Sequence, residues 1–339
     1  MEHVAIDLGA SQSQVCVRAA DGTVLEERRC PTAKLAEYLA NRPPSRVIME
    51  TCTEAFYIAE ATLKLGHQVR VVPATLVHSL GVGSRRTKTD RRDAQKLSEV
   101  SCRVDLPSVH IPSEQARQRK ARLGARDALV QARTLLINHV RGTLRASLLR
   151  LGKGSAPTFT KRVRALCVVV ERVDLEPSLV CIDALTEQLR LVDRDLSTEA
   201  ARDPVCRRLM TVPGVGWVTA LRFVATLDRI DRFAGAHQVE SYLGLVPGED
   251  SSSERQRRTG ITKAGSTSMR WTLVQAAWAA RRARHKDGLQ LWAEQIEQRR
   301  GKRVAVTALA RKLAGILFAI WRDGTVYQAT VEATASAAA

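Results

Sequence analysis

The sequence predicts an α/β N-terminal domain, a helical middle region and a mostly helical C-terminal region. In the first 72 residues, short apolar runs typical of strands alternate with segments of helical periodicity. Residues 113–151 are rich in Arg and carry apolar residues at helical spacing, which predicts one long helix. We therefore expect domains at residues 1–108, 109–200 and 201–328, followed by a disordered tail of small residues at 329–339.

The N-terminal elements follow one another in a recognisable order. A hairpin turn is expected at Asp21-Gly22, between the second and third strands. The predicted strands are residues 3–8, 14–18, 23–28, 46–51 and 68–72, and the predicted helices are residues 32–39 and 54–65. The order β-β-β-α-β-α-β is typical of a ribonuclease-H-like core, the fold of RuvC-like domains.

Four carboxylates occur at informative places in this region. Asp7 and Glu50 each end an apolar run, and a carboxylate buried at a strand is costly unless something pairs with it. Asp90 and Asp93 are three residues apart at the start of a predicted helix and so share one face. Four acidic groups converging in a basic protein indicate a divalent-metal site and metal-dependent phosphodiester chemistry.

The long middle helix has two interpretations. Its apolar positions fit either an amphipathic helix packed on its own domain or a coiled-coil arm that dimerises or lies along nucleic acid. These positions are Leu123, Val130, Ile137, Val140, Leu144, Leu148 and Leu151.

Two glycine-containing segments are candidate nucleic-acid contacts. The run Val212-Pro-Gly-Val-Gly resembles a helix-hairpin-helix turn, in which Gly214 and Gly216 would let backbone N–H groups approach a phosphate. The loop before Asp90 contains Arg85, Arg86 and Lys88, which could contact a phosphate backbone.

Composition indicates the class of partner. Lys and Arg outnumber Asp and Glu by 53 to 35, giving a net charge of +18, which favours nucleic acid. The 4% aromatic content argues against base-stacking platforms as the main mode of binding. Seven cysteines without a CxxC pair indicate neither a disulfide framework nor a zinc module, and favour a reducing cytoplasm. We find no apolar run of membrane-spanning length and no signal peptide, and expect no membrane partner.

Taken together, these motifs resemble the DEDD transposases of the IS-one-ten type of bacterial insertion sequence, over roughly residues 3–325. The N-terminal motifs are Ala5-Ile-Asp-Leu-Gly, Met49-Glu-Thr and Lys88-Thr-Asp-Arg-Arg-Asp-Ala. The C-terminal motifs are Val212-Pro-Gly-Val-Gly, Tyr242-Leu-Gly-Leu-Val-Pro, the serine cluster at 251–253, and Gly260-Ile-Thr-Lys-Ala-Gly followed by Met269-Arg270.

The resemblance implies an RNA-guided recombinase. Asp7, Glu50, Asp90 and Asp93 match the DEDD ligands, which would hold Mg²⁺, with Mn²⁺ as a substitute. The implied partners are donor DNA, target DNA and a guide (bridge) RNA encoded by the element. The implied assembly is a dimer that forms a tetramer, acting in the bacterial cytoplasm.

The resemblance also implies a serine nucleophile in the C-terminal domain. Counting back from Lys263 places it at Ser252, whereas Ser253 stands where family members commonly have Gly, so Ser251 and Ser253 remain alternatives. The flanking cations Arg255, Arg257, Arg258 and Lys263 would hold the scissile phosphate, or would belong to a solvated basic loop.

Three other functions are open to a chain of this pattern. A sugar-kinase or actin-like ATPase shares the opening Ala5-Ile-Asp-Leu-Gly-Ala-Ser, but its second phosphate loop and adenosine motif have no convincing counterpart here. A RuvC-type junction nuclease using water would not need the serine cluster. A binding module without catalysis would not need four carboxylates.

Overall fold

In the computed structural model, the chain divides into two compact units, Met1–Ser113 and Glu114–Ala339. The structure describes residues 1–79, 89–170, 173–250, 258–283 and 287–329. The predicted tail falls almost entirely outside these ranges. The first unit holds the predicted α/β region, and the second holds the long helix together with the C-terminal region.

The first unit is a five-stranded mixed sheet with helices on both faces. Its elements are β1 (His3–Asp7), β2 (Gln12–Arg18), β3 (Val24–Pro31), α1 (Leu35–Ala40), β4 (Arg46–Glu50), α2 (Ala55–Lys64), β5 (Gln68–Val72), α3 (Ala74–Ser79) and α4 (Asp90–Arg103). The strand order is β3-β2-β1-β4-β5. Strands β1–β3 pair antiparallel, whereas β4 is parallel to both β1 and β5. The predicted order of strands and helices is confirmed.

Alternation along the strands divides the unit's core into two layers. Val4 and Ile6 point into a cluster with residues of α1 and α2, on one face of the sheet. Ala5 and Ile48 point to the other face, where they pack with Leu97 of α4. Parallel strands are covered on both faces in this way, which explains the apolar character of β1 and β4.

In the residues that the structure describes, the regular elements of the second unit are helices apart from one short hairpin. Its elements are α5 (Glu114–Ala146), α6 (Phe159–Val170), α7 (Glu176–Arg202), α8 (Pro204–Leu209), α9 (Trp217–Leu227), α10 (Ala236–Tyr242), β6 (Pro247–Glu249), β7 (Arg258–Ile261), α11 (Thr267–Arg281), α12 (Gly288–Arg300) and α13 (Lys302–Asp323). Its larger core brings together α7–α13, and a smaller core joins the end of α5 to α6 and α7.

The long helix α5 packs on its own unit. Its ion pairs with α7 run in opposite directions along the two helices, from Arg119–Glu199 to Arg126–Asp193, so the pair is antiparallel. The interpretation as an amphipathic helix is therefore supported, because the predicted apolar positions Leu123, Ile137, Val140 and Leu144 contribute to two cores within the unit. The predicted end at residue 151 is wrong: α5 ends at Ala146, and Leu148 is 92% exposed.

Helix α13 corrects one expectation about apolar runs. By length and composition its 22 residues could cross a membrane, with a mean hydropathy of 1.7 over the best window. Half of that window is buried, and residues such as Leu309, Leu313 and Leu317 are enclosed by the unit's main core. The helix is apolar because other helices surround it.

Candidate functional site

Two of the predicted metal ligands lie at neighbouring strand ends. Strands β1 and β4 are parallel, and their register runs to the pair Ile6 and Met49. Asp7 and Glu50 are the next residues, and they end their respective strands. Because the carboxyl ends of parallel strands meet at one edge of a sheet, both carboxylates belong to that edge.

These two side chains also share a face. Side chains alternate along a strand, so Asp7 follows the direction of Ala5, and Glu50 follows that of Ile48. Ala5 and Ile48 pack on the side of the sheet covered by α4. Both carboxylates are half-buried. The edge is thus acidic on the side where α4 lies.

The other two predicted ligands lie in the first turn of α4. The Thr89 side chain caps the helix by accepting a hydrogen bond from the Arg92 N–H (3.4 Å). Asp90 is exposed, whereas Asp93 is only 8% exposed and belongs to the buried stripe that includes Leu97. Asp93 therefore lies on the sheet-facing side of α4.

Hydrogen bonds fix the turn that follows Asp7. The Thr32 hydroxyl donates to the Gly9 carbonyl (2.7 Å), and the Gly9 N–H donates to the Ser13 hydroxyl (3.3 Å). The Ser13 and Thr32 hydroxyls are 2.8 Å apart and buried. A Cβ at Gly9 would lie 2.3 Å from the Gln12 carbonyl oxygen, so the turn requires glycine. This network holds the end of β1 in place.

Polar contacts attach the first half of α4 to the strands. Glu27 of β3 accepts hydrogen bonds from Arg91 (Nε, 2.8 Å) and Gln95. The Gln95 hydrogen bond and the neighbouring Arg91 charge lower the pKa of Glu27. Further along the helix, Ser98 accepts from Arg18 Nε (2.9 Å). These contacts set the position of the helix start that carries the two aspartates.

The chemistry of the donor set fits Mg²⁺, which prefers carboxylate oxygens and retains several waters. In the described part of the chain, however, no three or more His, Cys, Asp or Glu side chains are grouped closely enough to hold a metal ion. The four carboxylates therefore share one side of the sheet without forming a closed cage. Their convergence on a metal stays a prediction.

In the second unit, the predicted serine segment lies within the connection of a hairpin that the sequence did not predict. Strands β6 and β7 pair antiparallel, with Pro247 opposite Ile261 and Glu249 opposite Arg258. Ser251, Ser252, Ser253, Arg255 and Arg257 lie outside the described residues, as do Arg85, Arg86 and Lys88 and the side chain of Arg258.

The base of this hairpin is built from two glycine turns in close contact. A Cβ at Gly244 would lie 2.2 Å from the Ala264 carbonyl oxygen, and one at Gly265 would lie 2.1 Å from the Tyr242 carbonyl oxygen. Both glycines have positive φ, +69° in each case. Lys263 also adopts a left-handed conformation (φ 58°) and is exposed, and its N–H donates to the Gly244 carbonyl (3.1 Å).

Arg270 joins these two turns, and sequence reasoning gave it no role. Its Nη1 donates to the carbonyls of Leu243 (3.3 Å), Gly265 (3.1 Å) and Ala264. Its Nη2 donates to Thr267 Oγ1 (3.1 Å). The sequence did contain a signal for this role, since Gly244 and Gly265 mark two tight turns. Tight turns leave backbone carbonyls that an arginine can bind.

The two glycines of the predicted phosphate turn differ in their surroundings. Gly214 has φ +81°, and a Cβ there would lie 2.3 Å from the Ala276 carbonyl oxygen and 2.5 Å from the Ala280 nitrogen of α11. This glycine is therefore needed for packing between the turn and α11. Gly216 is the N-cap of α9, and a Cβ there would meet open space. Of the two, Gly216 has room beside it for a ligand.

Comparison with known proteins supplies the family. Residues 4–148 match the family model of a DEDD transposase, and residues 206–292 match that of the "Transposase IS116/IS110/IS902 family". The DEDD match thus includes all four carboxylates, and the second match includes the hairpin and its serine segment.

Full-length relatives agree with these matches. The chain is 30% identical over 334 residues to the transposase of insertion sequence element IS1328 from Yersinia enterocolitica, covering 96% of this chain and 98% of that protein. It is 30% identical to the transposase of element IS1111A from Coxiella burnetii, covering 95% and 90% of the two chains. It is 29% identical to a probable family 20 transposase from Pseudomonas aeruginosa. The chain therefore belongs to the IS116/IS110/IS902 family of insertion-sequence transposases, enzymes that catalyse DNA cleavage and strand transfer.

Proposed function

We propose that this transposase is an RNA-guided recombinase that cleaves and rejoins DNA with a metal-dependent DEDD site and a serine nucleophile. The observation that carries the proposal is the placement of Asp7 and Glu50 at adjacent parallel strand ends, on the face that α4 covers. Asp93 lies on the sheet-facing side of α4, with Asp90 one turn before it. The strand order of the first unit also supports a RuvC-like domain.

In the proposed site, Asp7, Glu50, Asp90 and Asp93 hold Mg²⁺, or Mn²⁺ in its place. The ion would offset negative charge on the phosphate during strand transfer. The protein's part is positional: the Gly9 turn fixes the end of β1, and Glu27 fixes the start of α4.

Ser252 is the proposed nucleophile. Its Oγ forms a bond to the phosphorus as one backbone P–O bond breaks, and the serine proton is passed to the leaving oxygen, directly or through a base. The products are a strand linked to serine and a strand with a free hydroxyl. That hydroxyl can attack the serine ester in turn, so rejoining conserves the phosphodiester energy and needs no ATP.

The cations near the serine are proposed to hold the scissile phosphate. Arginine presents a planar fork that matches phosphate oxygens. The set comprises Arg255, Arg257, Arg258 and Lys263, and Arg85, Arg86, Lys88, Gly214 and Gly216 are proposed as further backbone contacts. The packing of Gly214 against α11 weakens its case relative to that of Gly216.

We also propose how the enzyme selects its DNA and how its subunits assemble. A guide RNA encoded by the element would select donor and target DNA by base pairing. Because two duplexes must be cut, we propose a dimer that assembles into a tetramer. The net charge of +18 supports a polyanionic assembly of this kind, which would form in the bacterial cytoplasm on nucleoid DNA.

The test is joining of donor and target plasmids in cells that express the protein with the non-coding DNA flanking its element. The variants are Asp93→Ala and single Ser→Ala changes at 251, 252 and 253, with Glu99→Ala on the same helix as the matched acidic control. Deletion of the flanking DNA removes the proposed source of the guide RNA and so tests whether joining requires it. With purified protein, a denaturing gel tests for a covalent adduct with labelled DNA.

We expect Asp93→Ala and Ser252→Ala to abolish joining while DNA binding is retained, and Glu99→Ala to remain active. Loss at Ser251 or Ser253 instead would move the nucleophile to that residue. Activity in all three serine variants, with no adduct, would replace the proposal by a nuclease that uses water. Joining that persists without the flanking DNA would exclude a requirement for the guide RNA.

A further inference from the structure

A short turn at one end of the second unit concentrates positive charge. Arg299 and Arg300 are the last two residues of α12, and Lys302 and Arg303 are the first two of α13. Between them Gly301 adopts φ +80°, a left-handed conformation suited to glycine. All five residues are exposed. We call residues 299–303 the basic turn.

Within the described part of the chain, the cations of the basic turn make no ion pair with an acidic side chain. Arg299 Nε donates only to the Gln295 carbonyl (3.4 Å). Three other exposed arginines of this unit are instead paired with an acidic residue within three positions in the sequence. These pairs are Arg190–Glu187, Arg229–Asp231 and Arg322–Asp323. Among the described residues, the basic turn therefore places four cations without an acidic partner within five consecutive positions.

The neighbouring end of α11 adds to this charge. Lys302 Nζ lies 5.3 Å from the centre of the Trp278 ring, and the Arg282 guanidinium carbon lies 5.9 Å from the same centre. Arg281 lies 5.6 Å from it and pairs with Glu297. The Trp278 indole thus contacts cations from the end of α11 and from the start of α13. The Glu297 carboxylate, which pairs with Arg281, lies beside them.

The charges on α13 also oppose the stability of the helix. A helix N-terminus carries a partial positive charge and is stabilised by anions. Here the N-cap Gly301 offers no side chain, and the first two residues of α13 are Lys302 and Arg303. Folding alone would favour acidic residues at these two positions. An external anion would reverse the unfavourable interaction.

We propose that the basic turn, with Arg282, contacts the phosphate backbone of duplex DNA. DNA is the polyanion on which the family acts, and arginine forks match phosphate oxygens geometrically. Contacts to phosphates carry no sequence information, so a site of this kind should bind duplex DNA of any sequence. The inference depends on the transposase activity alone and is independent of the nucleophile and of the metal.

The experiment compares two full-length triple variants of equal net charge. The test variant is Arg299→Gln, Arg300→Gln and Arg303→Gln, which leaves Lys302 on Trp278. The control is Arg190→Gln, Arg229→Gln and Arg322→Gln, which removes three exposed arginines that have acidic partners. Binding to a fluorescent duplex DNA of random sequence is measured by anisotropy over a range of salt concentrations, and an RNA duplex of the same sequence is measured in parallel.

Loss of three phosphate contacts should lower the slope of log K against log salt by roughly 2–3, and should weaken DNA binding on the order of 100-fold near about 0.1 M salt. The control should keep the wild-type slope. A third variant, Arg299→Lys, Arg300→Lys and Arg303→Lys, should bind DNA as the wild type does because it keeps the charge. An equal loss in the control, an unchanged slope in the test variant, or a loss confined to RNA would overturn the proposal.

Discussion

Arg270 joins the turn at Gly244 to the turn at Gly265. Its side chain thereby closes the base of the β6–β7 hairpin, whose connection contains the serine segment. We classify it as a positioning residue, because its hydrogen bonds to the carbonyls of Leu243, Ala264 and Gly265 hold the two turns from which the hairpin extends. A guanidinium suits this role because its five N–H groups can serve several acceptors at once.

We expect Arg270→Ala to slow strand joining by roughly 10- to 100-fold, since losing hydrogen bonds from a charged donor costs about 1.5–3 kcal/mol. Hydrogen exchange of the amides of Thr262 and Lys263 should speed up in the same variant. Arg270→Lys should not restore the rate, because an ammonium lacks the planar fork. Gln275→Ala, at an exposed position on the same helix, serves as the control. Normal joining and normal amide protection in Arg270→Ala would refute the assignment.

Gly214 and Gly216 offer a matched pair for separating packing from binding. Gly214→Ala should destabilise the fold by about 2–3 kcal/mol, because the added Cβ is strained at positive φ and overlaps the backbone of α11. Gly216→Ala should cost less than about 1 kcal/mol, since the position is open and only an N-cap preference is lost. Urea unfolding measures both variants. Equal destabilisation would mean that the turn does not pack on α11 as described.

At the scale of elements, α4 determines whether the four carboxylates can act together. The helix is attached to the sheet by its apolar stripe and by Glu27 of β3, which binds Arg91 and Gln95. The pKa of Glu27 is lowered in the folded state, so its contribution to stability is present above its unfolded pKa and is lost as pH falls through the folded value.

We therefore expect Glu27→Gln to lower Tm by roughly 2–4 °C at neutral pH. The difference from wild type should shrink as pH falls through the folded-state pKa of Glu27, which the Gln95 hydrogen bond and Arg91 hold below the usual value for glutamate. Thermal unfolding followed by circular dichroism across this pH range checks the prediction. Glu37→Gln, an exposed acid in α1, is the control and should leave Tm unchanged at every pH. A Glu27→Gln difference that persists in acid would mean that charge is not the cause.

At the scale of the whole molecule, charge and chemistry are distributed over both units. The four carboxylates lie in the first unit, whereas the serine segment, Arg270 and the basic turn belong to the second. The net charge of +18 matters to function because strand transfer brings several nucleic-acid strands onto one protein. The basic turn shows that part of this excess is grouped in one place.

Much of the first unit could be predicted, and the reasons lie in particular residues. The apolar runs before Asp7 and Glu50 marked buried strands, since strands covered on both faces must be apolar throughout. The start of α4 was predicted from the segment that holds Asp90 and Asp93, and the structure shows that Thr89 is its N-cap. In the second unit, the start of α9 agrees with the predicted helix-hairpin-helix turn, whereas α8, α10 and α12 were missed, as was the β6–β7 hairpin. Its strands have three and four residues, too few to establish a period.

The sequence by itself determined the family, the order of elements in the first unit, the four candidate carboxylates and the polyanionic character of the partner. These properties depend on residue types and local spacing, which are visible along the chain. Only the tertiary structure decided that Asp7 and Glu50 lie on the face covered by α4, that Gly214 packs against α11, that Arg270 bridges two turns, and that Lys302 meets Arg282 at Trp278. Each of these depends on contacts between distant segments, and no local pattern specifies which segments pack together.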